Sequence, residues 1–90
     1  MYQVHWLQTA LNELAAAWTP ASSSLRQAIT LAARDIDQAL QRDPENEGES
    51  RPDDQRVMFA PPLGVAFRVD PQQRRVYVLH VWVIRRRGQP

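Results

Sequence analysis

The sequence predicts an α+β fold, a helical hairpin near the N-terminus packed on one face of a mostly antiparallel sheet of three or four strands. Three observations carry this. Between Arg56 and Ile84 lie three apolar runs, RVMFA, LGVAFRV and VYVLHVWVI, separated by proline-bearing turns, the pattern of an antiparallel meander. Residues 7–42 instead place their apolar side chains at helical spacing, with a break at Thr19-Pro20. Pairing outward from the turn DPQQR then sets Val69 opposite Arg75, Phe67 opposite Tyr77, Val65 opposite Leu79 and Leu63 opposite Val81. One face of the meander is thus apolar and must be covered, while the other carries Gly64, Ala66, Arg68, Val76, Val78, His80 and Trp82.

Each element has its own local reason. Tyr2, Val4 and Trp6 alternate with Met1, Gln3 and His5, which predicts a short first strand. Leu7, Leu11, Leu14 and Trp18 form one helical stripe, and Ala15, Ala16 and Ala17 add helix propensity. Thr19 as N-cap with Pro20 behind it predicts the start of the second helix, with Ser22, Ser23 and Ser24 as later alternatives. That helix shows Leu25, Ile29, Ala32, Ile36 and Leu40 on one face and stops at Asp43-Pro44. Trp6 and Trp18, large aromatics on apolar stripes, are expected to lock the helices to the sheet. Residues 43–55, DPENEGESRPDDQ, contain no apolar side chain and read as an acidic, solvent-exposed loop inside a single domain spanning 1–90. Taking Ala60-Pro61-Pro62 as a three-residue turn puts Val57 and Phe59 on the covered face and Arg56 and Met58 on the open one. A two-residue turn reverses this. The last strand is apolar on both sides and belongs in the sheet interior.

Composition narrows the chemistry. Ninety residues, 43% of them hydrophobic, suit one domain with a modest core. There is no Cys, which excludes a disulfide scaffold, a thiolate metal site and a cysteine nucleophile. All eleven basic residues are Arg, which excludes a catalytic lysine. Neither a signal-peptide pattern nor an apolar run of membrane-spanning length is present, so a cytoplasmic protein is expected. The net charge of +1 hides a segregation: residues 1–42 are neutral, 43–55 carry −5 and 56–90 carry +6. The positive surplus on the sheet-forming part favours a polyanion or an acidic protein segment as partner, with a solubilising surface as the plainer alternative.

The segments LNELAAAW, IDQALQRDPENEGES and PPLGVAFRVDPQQRRVYVLHVWVIRRR, in this element order, resemble the RelE/ParE superfamily of bacterial toxins over nearly the whole chain. The resemblance implies the toxin of a type II toxin–antitoxin module that inhibits translation by ribosome-associated mRNA cleavage. Other members poison DNA gyrase, which makes a non-nuclease gyrase inhibitor the alternative, beside a degenerate toxin or interaction module that only binds its antitoxin. The implied partners are a cognate antitoxin and the ribosome with its mRNA, with no membrane and no cofactor. RNA-cutting members generally place an Arg near the position of Gly64. Here Arg68 lies on the same face, about two pairs away, and the nearest match to the family's C-terminal residues is His80, Trp82 and Arg85 to Arg87.

Arg68, His80 and Arg56 are therefore the candidate catalytic residues. RNA cleavage needs the 2′-hydroxyl deprotonated, the charge of the pentavalent phosphate compensated and the leaving oxygen protonated. An imidazole serves the proton transfers and guanidiniums the charge. Trp82 is a candidate for base stacking, and Arg85, Arg86 and Arg87 for phosphate or acidic antitoxin contact; Arg51 can reach the open face from the acidic loop. The competing readings are a locally bonded strand residue for His80, a hydrophobic cap or antitoxin contact for Trp82, and plain surface roles for the arginines. Two His among scattered acids make no metal-ligand cluster, so no metal is expected.

Overall fold

The structure, a computed structural model, describes residues 1–84; the predicted basic tail at 85–90, with Arg85, Arg86 and Arg87, lies outside the described residues. The order is β1 (Gln3–Trp6), α1 (Gln8–Trp18), α2 (Ser23–Arg42), a 3-10 turn (Pro44–Asn46), β2 (Glu49–Arg51), β3 (Gln55–Ala60), β4 (Leu63–Asp70) and β5 (Arg75–Val83). The five strands form one sheet in the order β1-β5-β4-β3-β2, with β1 parallel to β5 and every other pair antiparallel. The architecture is the predicted α+β one, and β5 is interior as expected. The sheet is wider than expected because the acidic loop contributes β2, whose backbone pairs with β3 although all three of its side chains are exposed.

α2 supplies most of the cover. Ile29, Ala32, Ile36 and Leu40 recur along one face and are buried against Leu63, Val65, Phe67, Val76 and Val78 of the sheet. Its N-cap is Ser22, whose Oγ accepts from the Leu25 N–H at 3.3 Å. Thr19 instead closes α1, its hydroxyl donating to the Ala15 carbonyl, so the predicted start at Thr19-Pro20 is displaced to the serine run. α1 behaves differently from the prediction. Ala10 is its buried residue, with Leu14 and Ala17 half-buried, while Leu11 and Trp18 stay exposed. The Trp18 indole donates to Thr30 and lies under the Arg26 guanidinium, 4.3 Å from its ring centre, so it ties α1 to α2 rather than to the sheet. Trp6 does join strand to helix: its Nε1 donates to Asp37 Oδ1 at 2.9 Å.

Two register expectations are corrected. Ala60 pairs with Leu63 across a two-residue Pro61-Pro62 turn, joined by a cis peptide bond, and this reverses β3 relative to the three-residue reading. Met58 is buried opposite Val65, Phe59 is 56% exposed opposite Gly64, and Arg56 falls on the helix-covered face opposite Phe67. At the other hairpin Asp70, not Val69, pairs with Arg75, and the Asp70 carboxylate accepts from the Gln73 N–H inside the turn. Val76 and Val78 are thereby the buried side chains, and Tyr77 faces outward. The ladder then jumps, with Phe67 opposite Val78 but Ala66 opposite His80, so Leu79 is the extra residue of a β-bulge. Beyond the bulge the predicted faces return: Val81 and Val83 lie inward, His80 and Trp82 outward.

Candidate functional site

The register maps the open face of the sheet as three rows. The first row, from β1 to β2, reads His5, Tyr77, Arg68, Gln55 and Arg51. The second reads His80, Ala66, Val57 and Glu49, and the third Trp82, Gly64 and Phe59. Arg68 and His80 therefore stand on one face in adjacent rows, as the sequence predicts, with both side chains exposed. Between them Ala66 keeps the surface low.

Rings mark both ends of this face. His5 and Tyr77 stack with centroids 5.7 Å apart. At the other end Phe59 and Trp82 meet edge to face at 6.2 Å, and Trp82 is 37% exposed. Gly64 makes the second arrangement possible: a Cβ there would sit 2.6 Å from the indole Nε1 and Cε2, so the Trp82 ring lies directly on the strand backbone. Such rings offer stacking surfaces for planar groups, and sheet-borne aromatics are one way in which proteins hold unstacked bases.

His80 has a partner that the sequence reading did not identify. Its Nδ1 lies 3.3 Å from Glu13 Oε1, and the same oxygen accepts from the Val81 N–H at 3.0 Å. Glu13 comes from α1, sixty-seven residues away in the chain. Its position between Ala10 and Ala17 on the face turned to β5 is the one sequence signal for this, and an acid there reads as an ordinary polar flank without the strand beside it.

Arg56 lies on the opposite face of the sheet from Arg68 and His80. On the covered face its Nε donates to the Glu47 carbonyl at 2.9 Å, its Nη1 to Ser50 Oγ at 3.0 Å and its Nη2 to the Gly48 carbonyl at 3.2 Å. One guanidinium thus ties down the turn that leads into β2. Gly48 has φ +67° and its missing Cβ would meet the Val57 carbonyl oxygen at 2.2 Å, so the turn packs too closely on β3 for any side chain. Replacing Arg56 with Ala is expected to lower the unfolding free energy by about 1–3 kcal/mol, since three bonds from a charged donor are lost. It should also speed proteolytic cleavage within residues 47–55, read by limited digestion and mass spectrometry.

A cleft of about 400 Å³ at the end of the sheet is lined by Arg51, Arg56 and Arg68 together with Glu45, Asp54 and Ser50. Arg51 pairs with Glu49 at 3.2 Å, and Arg68 donates to the Asp53 carbonyl at 3.4 Å. With Glu49 counted beside Glu45 and Asp54, its three guanidiniums are matched by three carboxylates. Near it, Tyr2 donates to Glu45 at 2.7 Å, and that carboxylate raises the phenol's pKa above its ordinary value. Among the described residues no group of three or more His, Asp or Glu is placed to hold a metal ion, and no helix is long and apolar enough to cross a membrane.

No protein-family model and no curated protein matches the sequence. Solved structures do resemble the chain. A chain of the RelBE2 toxin–antitoxin complex from Mycobacterium tuberculosis is 18% identical with a TM-score of 0.71, over 91% of this chain and 90% of that one. The chromosomal ParDE toxin–antitoxin system from P. aeruginosa gives 18% identity and a TM-score of 0.66, over 94% of this chain and 98% of that one. The isolated E. coli RelE toxin gives 18% identity and a TM-score of 0.60, over 98% of this chain and 89% of that one. At this identity the likeness is one of fold: the chain has the RelE/ParE-like fold, two helices on a five-stranded, mostly antiparallel sheet.

Proposed function

We propose that this protein is the toxin of a type II toxin–antitoxin module and that it inhibits translation by cleaving mRNA on the ribosome. The observation that carries the reading is the open sheet face, where His80 and Arg68 stand exposed in adjacent rows between two sets of rings. The fold shared with chains of toxin–antitoxin structures supports the toxin and the cognate antitoxin as partner.

In this reading the message lies across the face with a base against Trp82 and Phe59. The His80 imidazole takes the proton of a 2′-hydroxyl, whose oxygen then attacks the adjacent phosphorus. The bond from phosphorus to the 5′-oxygen breaks, that oxygen takes a proton from solvent while the proton on His80 returns to solvent, and the products are a cyclic 2′,3′-phosphate and a 5′-hydroxyl. Arg68 compensates the negative charge gathered on the phosphate in the transition state. Arg85, Arg86 and Arg87, which lie outside the described residues, are assigned to phosphate or antitoxin contact, and Arg51 to the rim of the same face. Arg56 acts by holding the turn before β2.

The test is controlled expression in a bacterial host with the 5′ ends of transcripts mapped. The expected result is growth arrest with new cuts inside codons, relieved when the antitoxin is co-expressed. Arrest with whole transcripts and induced DNA damage would replace this reading with gyrase inhibition, and harmless expression would leave an antitoxin-binding module.

A further inference from the structure

β5 has two neighbours for only part of its length. β1 pairs with it from Arg75 to Val78 and then departs, the Leu7 N–H donating to the Val78 carbonyl as the last bond between them. From Leu79 onward the outer edge of β5 has no strand of the described residues beside it, and a bare edge leaves backbone donors that need acceptors. α1 occupies that place, with Ala10, Leu14 and Ala17 packed on the core and Glu13 reaching the Val81 N–H. The bulge at Leu79 puts His80 beside the same carboxylate.

We propose that Glu13 is a positioning residue for His80, fixing the tautomer and direction of the imidazole on the open face. The inference rests on the nuclease reading above. An ionised carboxylate only accepts hydrogen bonds, so an imidazole nitrogen facing it must carry the hydrogen. Glu13 therefore selects the tautomer with hydrogen on Nδ1 and leaves the lone pair on Nε2, the nitrogen available to a ligand. The free imidazole prefers the opposite tautomer. The Val81 N–H holds Oε1 from a second direction, so the carboxylate stays in place as His80 gains and loses a proton. The His80 side chain is 55% exposed and that of Glu13 39%, so the pair stands at the rim of the face and not in the core. The arrangement is the orienting-acid logic by which a base is held ready for proton transfer, here supplied by a helix that otherwise serves to close a sheet edge.

The experiment has a spectroscopic and a kinetic arm, both on the full chain. Long-range ¹H–¹⁵N correlation spectra of neutral His80 are expected to show hydrogen on Nδ1 in the wild type and on Nε2 in Glu13→Ala. Cleavage of a defined mRNA on programmed ribosomes is expected to lose at least about 10-fold in kcat in Glu13→Ala, with KM unchanged. Glu13→Gln keeps an oxygen that accepts from both the Val81 N–H and the His80 Nδ1–H, so it is expected to retain hydrogen on Nδ1 and most of kcat. Hydrogen on Nε2 in the wild type, or a folded Glu13→Ala protein cutting at the wild-type rate, would overturn the proposal. Failure of the nuclease reading looks different: a wild type that leaves messages whole overturns the kinetic role even where the tautomer shift is found.

Discussion

His80→Ala is expected to slow mRNA cleavage by about 10²- to 10⁴-fold, the range that a positioned acid or base contributes. Arg68→Ala is expected to cost a comparable amount, about 10²- to 10³-fold, through the lost charge on the transition-state phosphate. Residues acting on one step are not additive, so the double variant should fall little further than the worse single one while losing growth inhibition entirely. The fold should hold. Both side chains are exposed on the open face, and such substitutions usually change stability within about 0.5 kcal/mol, with at most ~1 kcal/mol more from the exposed His80–Glu13 pair. Urea unfolding of the purified variants checks this independently of activity. A double variant that still arrests growth would move the active surface away from these two residues.

Phe67→Ala should cost about 3–5 kcal/mol, and Phe59→Ala much less than that. Phe67 is fully buried under α2, among the largest such side chains, whereas Phe59 is 56% exposed and touches the Trp82 edge. A domain of this size has roughly 5–13 kcal/mol to lose, so Phe67→Ala removes a large share of it. With about 4–8 °C per kcal/mol, the thermal midpoint should drop by at least ~12 °C. Phe59→Ala should instead leave the midpoint within a few degrees and weaken binding of single-stranded RNA, through loss of a stacking surface. The pair is a direct test of the β3 register, because a three-residue turn would bury Phe59 as well and make its loss comparably costly.

Residues 23–42 were legible because an amphipathic helix writes its buried face at a period that nothing else imitates. The order of the elements, the interior place of β5 and the facing of His80, Trp82 and Arg68 were legible for a related reason: the strand runs are apolar and their ends are marked by proline and acidic turns. Where both faces of a strand are apolar, parity is lost. Val76 and Val78 against Tyr77 and Leu79, and Met58 against Phe59, offer hydrophobic choices either way. The decision falls to turn length and to one bulged residue, both properties of paired backbones and not of either strand alone.

The candidate site divides along the same line. Arg68 and His80 share a face because the turn offset and the bulge at Leu79 act on different segments of β5, so His80 kept its predicted side. Arg56 changed sides with β3 and became a clamp on a turn. Glu13 entered only through space, since an acid on a helix acquires its meaning from the strand edge packed beside it. The amino-acid order by itself determined that two helices would cover one face of a mostly antiparallel sheet and leave arginine and imidazole outside. Only the tertiary structure decided which arginine stands with that imidazole and which carboxylate holds it, because both depend on registers and edges formed between segments far apart in the chain.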